Sequence, residues 1–98
     1  MTRYYVTRDR DSLPVYLGQQ NEGVTFAFAA YQGWTPKDAM NKWIRLASQG
    51  TIRDETGDRI DCHELILRIT GYMSPGIPSP HGDFITPNGN AFTYGEFS

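Results

Sequence analysis

The hydrophobic period changes from that of a strand to that of a helix within residues 24–47, and this change limits the folds open to the chain. Residues 24–31 alternate large and small side chains, as in a half-buried β-strand with Val24, Phe26 and Phe28 on its core face. The apolar residues that follow recur at helical spacing. In a chain of 98 residues, this succession predicts one α+β domain spanning residues 1–98.

The helix is predicted to begin at Pro36, after an N-cap at Thr35, and to end near Gln49 and Gly50. Thr35 is a typical N-cap residue, Pro36 suits the first helical position, and Gly50 is a common C-terminal stop. Five apolar residues are expected on the buried face: Ala39, Met40, Trp43, Ile44 and Ala47.

Two further strands are expected before residue 24. Residues 3–7 are rich in aromatic and β-branched side chains, which favour strands, and residues 14–17 form a second run of this kind. The polar residues 8–12 are expected to form a turn, and residues 18–23 a polar connection. The first third of the chain is therefore predicted to form an antiparallel meander.

Residues 51–60 fit either a small ribbon that turns at Thr56 and Gly57 or an irregular loop. Asp61 followed by Glu64 fits a capping box that opens a shorter helix ending near Thr70. Its apolar side would carry Cys62, Leu65, Ile66 and Ile69. A buried strand over residues 65–67 is the alternative.

The last part of the chain combines a Pro/Gly-rich loop at residues 73–82 with a β-hairpin. Asn88 and Gly89 between apolar runs are typical of a tight turn. We therefore predict an antiparallel sheet, made of the N-terminal meander plus the C-terminal hairpin, packed against two helices. The contacts are expected through Met40, Trp43, Leu65 and Ile69.

Composition narrows the cellular setting. The single cysteine, Cys62, cannot form an internal disulfide, and no leader-like segment precedes the first strand, so a cytoplasmic location is expected. No apolar stretch approaches the ~20 residues that span a bilayer, and no membrane role is predicted. The net charge of −2 does not favour nucleic acid strongly.

The candidate catalytic and metal-binding groups are sparse. Cys62 and His63 are adjacent, so their side chains would diverge by roughly 100° on a helix, and with His81 they do not form a four-ligand zinc pattern. Arg59 and Leu65 break the calcium-loop pattern of the acidic segment. We expect no metal, no cofactor and no enzymatic activity. His81 with Asp83 remains an alternative catalytic pair for a small hydrolase or transferase, although Asp83 is expected to cap the hairpin.

The leading hypothesis is a non-catalytic protein-binding module, an inhibitor or adaptor that covers a site on a larger protein. Small aromatic-rich domains of this kind are common among phage and mobile-element proteins that inhibit host machinery. Pre-extended prolines and apolar neighbours in the loop and hairpin favour docking, helped by the acidic turn. The candidate contact residues are Ile77, Pro78, Pro80, His81, Asp83, Phe84 and Asn88, together with Asp54, Glu55 and Asp58.

Two alternatives concern other partners. Lys37, Lys42 and Arg45 are expected on one exposed helix face, where they could meet phosphates and make the chain a nucleic-acid-associated regulator. The exposed hairpin edge could also pair with its own copy, which leaves a homodimer open.

Overall fold

Strands and helices segregate into two layers, with both helices on one face of a mixed sheet. The computed structural model describes residues 1–20, 26–70, 82–87 and 89–94. The strands are β1 (Thr2–Thr7), β2 (Val15–Gln20), β3 (Phe26–Ala30), β4 (Thr51–Asp54), β5 (Arg59–Ile60), β6 (Phe84–Ile85) and β7 (Ala91–Tyr94), and the helices are α1 (Ala39–Ala47) and α2 (Cys62–Thr70). Their order in the sheet is β5-β4-β1-β2-β3-β7-β6. The predicted α+β class is confirmed.

The N-terminal meander is confirmed, but β2 is longer than predicted. β1 pairs with β2, and β2 with β3, in antiparallel fashion. β2 continues through residues 18–20, which were expected to be a polar connection, because these residues pair with β1 on one side and with β3 on the other. Pairing on both sides outweighs their low strand propensity. Val24 lies outside the described residues.

A β-bulge in β2 connects the sheet to α1. Tyr4 is paired with Gly18 and Tyr5 with Tyr16, so Leu17 is left without a partner in β1. Its carbonyl oxygen instead accepts the indole N–H of Trp43 at 2.7 Å, in a buried position. The bulge therefore supplies an acceptor to a ring that would otherwise bury an unsatisfied donor.

Helix α1 begins at Ala39, three residues after the predicted first helical residue, Pro36. The Asp38 N–H donates to both the carbonyl and the hydroxyl oxygen of Thr35, at 3.1 and 3.3 Å. Thr35 thus accepts an N–H as expected, but in a tight turn that precedes the helix. On α1, Ala39, Trp43 and Ala47 are buried as predicted, whereas Ile44 is exposed. The buried position assigned to Ile44 belongs to Leu46, since the helix faces the sheet with that side.

Residues 51–60 form the predicted ribbon and not an irregular loop, and the second predicted helix is also present. β4 and β5 pair in antiparallel fashion, and Gly57 in the connecting turn has a φ of 92°. Asp61 accepts the Glu64 N–H at 3.2 Å, which confirms the cap of α2. The strand alternative for residues 65–67 is wrong, because the cap and the apolar spacing agree on a helix.

The C-terminal hairpin joins the sheet, as predicted, but through a parallel pair. β6 and β7 are antiparallel, closed by the Thr86 N–H to the Asn90 carbonyl at 2.9 Å. β7 runs parallel to β3, with Phe28 opposite Phe92 and their ring centroids 4.9 Å apart. The sheet is therefore mixed, and the expectation of a purely antiparallel sheet is wrong, because β7 pairs beside β3 in the same direction.

One core lies between the helices and the sheet. Its central side chains are Tyr4, Val6, Leu17, Phe26, Phe28, Trp43, Ile52, Leu65, Ile69 and Phe92. The predicted helix contacts Trp43, Leu65 and Ile69 are confirmed within it, and Met40 packs at its border. In the part of the chain that the structure describes, no helix is long and apolar enough to cross a membrane.

Candidate functional site

The sheet face turned away from the helices carries a row of large polar side chains, and we call it the far face. Arg59, Arg53, Tyr5 and Tyr16 are successive cross-strand partners on β5, β4, β1 and β2. Directly opposed residues share a face, and their neighbours along the strands point into the core. Packing confirms the arrangement, since the rings of Tyr5 and Tyr16 lie 5.3 Å apart.

A groove of about 560 Å³ crosses this face. We call the part of its lining that comes from the β1–β2 loop the apolar wall; the charged part comes from β4 and the β4–β5 turn, and the rest from β1. Its lining includes Tyr5, Thr7, Leu13, Pro14, Arg53, Asp54, Glu55 and Gly57. Leu13 is 74% exposed, the largest exposed fraction among the large hydrophobic side chains described. The groove thus combines an apolar anchor with charged groups, as binding surfaces do.

The loop that carries Leu13 is held in place by side chains. Arg8 donates through Nε and Nη2 to the two carboxylate oxygens of Asp11, and this bond lowers the pKa of that carboxyl. Arg8 and Arg10 both donate to Oε1 of Gln49, at 2.9 and 2.6 Å. The apolar wall is therefore anchored to the segment that follows α1.

The acidic turn is organised around Asp54. Its Oδ1 accepts the Thr56 hydroxyl at 2.6 Å, the Thr56 N–H at 2.9 Å and the Asp58 N–H at 3.0 Å. These hydrogen bonds, that from the Thr56 side chain above all, lower the pKa of Asp54. Glu55 accepts the Arg3 N–H. Of the three predicted contact residues in this turn, only Asp58 offers a carboxylate without such a bond in the described structure.

Tyr16 and Arg3 occupy the middle of the far face. Tyr16 is 6% exposed, and burial raises the pKa of its phenol well above the ordinary value, whereas the charge of Arg3 and its hydrogen bond to Tyr16 act in the opposite direction. The Tyr31 hydroxyl donates to the carbonyl of Tyr16. The Arg3 Nε is buried without a hydrogen-bond partner among the described residues. This part of the face is packed and does not present a flat aromatic ring.

The hairpin residues that were predicted to contact a partner have structural roles where they are described. Asp83 accepts the Tyr94 N–H at 2.7 Å, so it caps the hairpin as expected. Phe84 is half-buried, with its ring stacked on Phe92 at 5.6 Å. The remaining candidates of the loop and hairpin lie outside the described residues: Ile77, Pro78, Pro80, His81 and Asn88. The pairing of His81 with Asp83 stays a prediction.

The basic residues near α1 do not all belong to the helix. Lys37 lies in the preceding turn and is exposed, Lys42 is half-buried, and Arg45 is exposed on the last turn of α1. None of the three makes an ion pair within the described ranges. They lie on the helical side of the molecule, away from the groove.

Cys62 and His63 are separated by the geometry of α2. Cys62 is half-buried on the apolar side, and burial raises the pKa of its thiol, whereas His63 is exposed. Among the residues that are described, no three His, Cys, Asp or Glu side chains are placed to hold a metal ion.

Comparison with known proteins indicates no function for this chain. The chain matches no family model, no curated protein and no solved structure. Its function must therefore be argued from its own residues.

Of the residues that line the groove, Asp54 and Glu55 were predicted from the sequence as candidate contacts, but Tyr5, Leu13 and Arg53 were not. One signal was present, because a ribbon turning at Thr56 and Gly57 places Arg53 opposite Arg59. The position of Leu13 beside Tyr5 had no such signal, since it depends on how the β1–β2 loop folds back over β1.

Proposed function

We propose that this chain is a non-catalytic module that binds a larger protein through the groove on its far face. The observation that carries the proposal is the exposed Leu13, held beside Pro14 and the half-buried Tyr5 in a concave site. Isolated exposed leucines are common on surfaces, but an apolar side chain in a groove with a charged rim is typical of an interface. Covering Leu13 would contribute about 1.5–3 kcal/mol.

The non-catalytic assignment is supported by how the reactive groups are used. Asp11, Asp54 and Asp83 are each bonded within a loop, turn or hairpin. Cys62 faces the helix packing rather than the groove, and its raised pKa disfavours the thiolate. Within the described ranges, no nucleophile lies against a base in the groove.

The proposed mode of action is coverage of a partner's surface, as an inhibitor or adaptor. A groove about as large as a small ligand site does not bind a protein alone, so the rest of the far face would complete the interface. The Pro/Gly loop with Ile77, Pro78 and Pro80 remains a proposed second contact on sequence grounds. A cytoplasmic location, proposed from the single Cys62, is consistent with this role.

Site-specific photocrosslinking in cells tests the proposal. A photoreactive amino acid at Leu13 should give one dominant covalent adduct with another protein, identifiable by mass spectrometry. The matched control carries the same amino acid at Ile44, which is 37% exposed on α1, and should not give that adduct. Equal labelling of the same proteins from both positions, or no adduct from Leu13, would show that the groove is not the docking site.

A further inference from the structure

The loop between β1 and β2, residues 8–14, carries the apolar wall of the groove without being packed into the core. Leu13 is 74% exposed, and Pro14 is exposed beside it. Segments with little buried apolar surface open easily unless other interactions hold them. The position of Leu13 near the half-buried Tyr5 therefore depends on polar contacts of the loop.

Two arginines of this loop donate to a single oxygen at the end of α1. Nη1 of Arg8 and Nη2 of Arg10 lie 2.9 and 2.6 Å from Oε1 of Gln49, which is at least 39 residues away in the sequence. Among the hydrogen bonds of the described residues, these two are the side-chain bonds that join residues 8–14 to another part of the chain. We call Arg8, Arg10 and Gln49 the Gln49 clamp.

The clamp is fixed at both of its ends. The Gln49 N–H donates back into α1 at 3.2 Å, and Gly50 has no Cβ that would collide with the Thr7 carbonyl. The segment that follows α1 can thus lie against the end of β1, within reach of the loop. On the loop side, Arg8 also donates to both carboxylate oxygens of Asp11, which closes residues 8–11 into a turn.

The clamp is a surface feature, so its contribution differs from that of the core. Gln49 and Arg10 are both exposed, and replacing either of them would expose no buried core. Hydrogen bonds from a charged donor are stronger than neutral ones, but exposed contacts add little to global stability. The clamp is therefore suited to fixing one loop rather than to holding the whole fold together.

We propose that Gln49 is a positioning residue of the binding site: by accepting from Arg8 and Arg10, it holds the β1–β2 loop in the conformation that places Leu13 in the groove. This inference rests on the proposed function and specifies what shapes its site. A loop already held in its binding conformation loses less conformational entropy on association. In a chain with a free loop, only the fraction of molecules with Leu13 in place could bind, and the apparent affinity would fall by that fraction.

The order of the loop is measured first, on the full chain without a partner. Gln49→Met keeps the length of the side chain and removes the acceptor oxygen, whereas Gln49→Glu keeps acceptor oxygens. Backbone relaxation by NMR should give the Leu13 amide an order parameter of about 0.85 in the unaltered chain and below about 0.6 in Gln49→Met. Gln49→Glu should restore the higher value. The matched control is Ser48→Ala, which removes a hydroxyl bonded to the Arg45 carbonyl at 2.9 Å and should leave the Leu13 amide unchanged.

Docking is measured second, by photocrosslinking from position 13 in each variant. If the loop is in place in about one tenth of the Gln49→Met molecules, this variant should form the adduct about tenfold less than the unaltered chain. Gln49→Glu should recover the adduct, and Ser48→Ala should not alter it. The urea midpoint of every variant should stay close to that of the unaltered chain, because no core residue changes.

Arg10→Met tests whether the residues of the clamp act together. Alone, this change removes the donor of the 2.6 Å bond to Gln49 and should reduce the adduct. In the Gln49→Met background it should cause no further loss, because the partner oxygen is already absent. A further loss of the same size in that background would contradict the clamp.

Two other results would overturn the inference: an ordered Leu13 amide in Gln49→Met, or an adduct from that variant as abundant as from the unaltered chain. In either case, an adduct from Leu13 in the unaltered chain still supports the groove as the docking site, and only the role of Gln49 is wrong. If the unaltered chain gives no adduct from Leu13, the proposed function fails and this inference fails with it.

Discussion

At the scale of single residues, the indole of Trp43 links helix packing to the irregularity in β2. Trp43 is 1% exposed, and its ring makes edge-on contacts with Phe26 and Phe28 at 6.0 and 5.3 Å. Its N–H reaches the Leu17 carbonyl that the bulge leaves free. A large ring can thus occupy the centre of the core without burying an unsatisfied polar group.

Two replacements of Trp43 separate the contribution of ring packing from that of the hydrogen bond to the Leu17 carbonyl. Trp43→Ala should lower the free energy of unfolding by about 3–5 kcal/mol. Trp43→Phe keeps an aromatic ring but leaves the Leu17 carbonyl unpaired, and should cost about 1–3 kcal/mol for the lost hydrogen bond. Urea unfolding followed by far-UV circular dichroism measures both. Trp34→Phe is the control, because Trp34 is only half-buried; a midpoint for Trp43→Ala equal to that of the control would contradict the assignment.

Gly18 shows a second constraint on side-chain size. Its φ is 142°, and a Cβ added there would lie 2.4 Å from the Ala27 carbonyl oxygen and 2.8 Å from the Phe26 ring. The absence of a side chain lets β2 pass beneath the ring, which stacks with Tyr4 at a centroid distance of 6.0 Å. A residue that looks like a strand terminator in the sequence is therefore part of the core packing.

At the scale of elements, the β4–β5 turn gains stability from one carboxylate. The pKa of Asp54 is lower in the folded protein than its ordinary value of 3.8. Ionised Asp54 therefore stabilises the turn at pH values above this ordinary pKa. The contribution is lost as the pH falls through the folded-state pKa. The turn also positions Arg53, so its integrity matters for the groove.

Removal of the Thr56 hydroxyl should change this titration. The Thr56 side chain is the largest cause of the low Asp54 pKa, so Thr56→Val should move that pKa upward towards its ordinary value. A carboxyl-carbon NMR titration of Asp54 in both proteins measures the shift. Thr51→Val, on β4 away from the carboxylate, serves as the control; identical Asp54 midpoints in all three proteins would contradict the role given to Thr56.

At the scale of the whole molecule, the parallel β3–β7 pair ties the last strands to the N-terminal meander. Phe92 is completely buried, between the rings of Phe28 and Phe84. Phe28 also contacts Trp43, so a single aromatic cluster connects the hairpin, the sheet centre and α1. The described elements should therefore unfold together.

Phe92→Ala tests this cooperativity. We expect a loss of about 3–5 kcal/mol in the free energy of unfolding, with coincident transitions by circular dichroism and by tryptophan fluorescence. Ile85→Ala in the same hairpin is the control, since Ile85 is 49% exposed and its truncation should have little effect. Separate transitions for the two probes would indicate that the hairpin folds independently of the rest.

The local elements could be predicted because their signals are local. The alternation around Phe26 and Phe28, the cap formed by Asp61 and the turn at Gly89 depend on residues adjacent in sequence, and each is present. The start of α1 was misplaced because Thr35 can serve either a helix or a tight turn with the same hydroxyl. Propensity does not distinguish these two uses.

The sequence by itself determined the α+β class, the first helix and the hairpin, through period, caps and turn residues, and it left the ribbon and the second helix each open against one alternative. Only the tertiary structure decided the extension of β2 through Gln20, the parallel entry of β7 beside β3, and the groove between Leu13 and Arg53. These features depend on which distant segments pair and pack. That choice follows from the summed burial and hydrogen bonding of the whole chain, not from any one stretch of it.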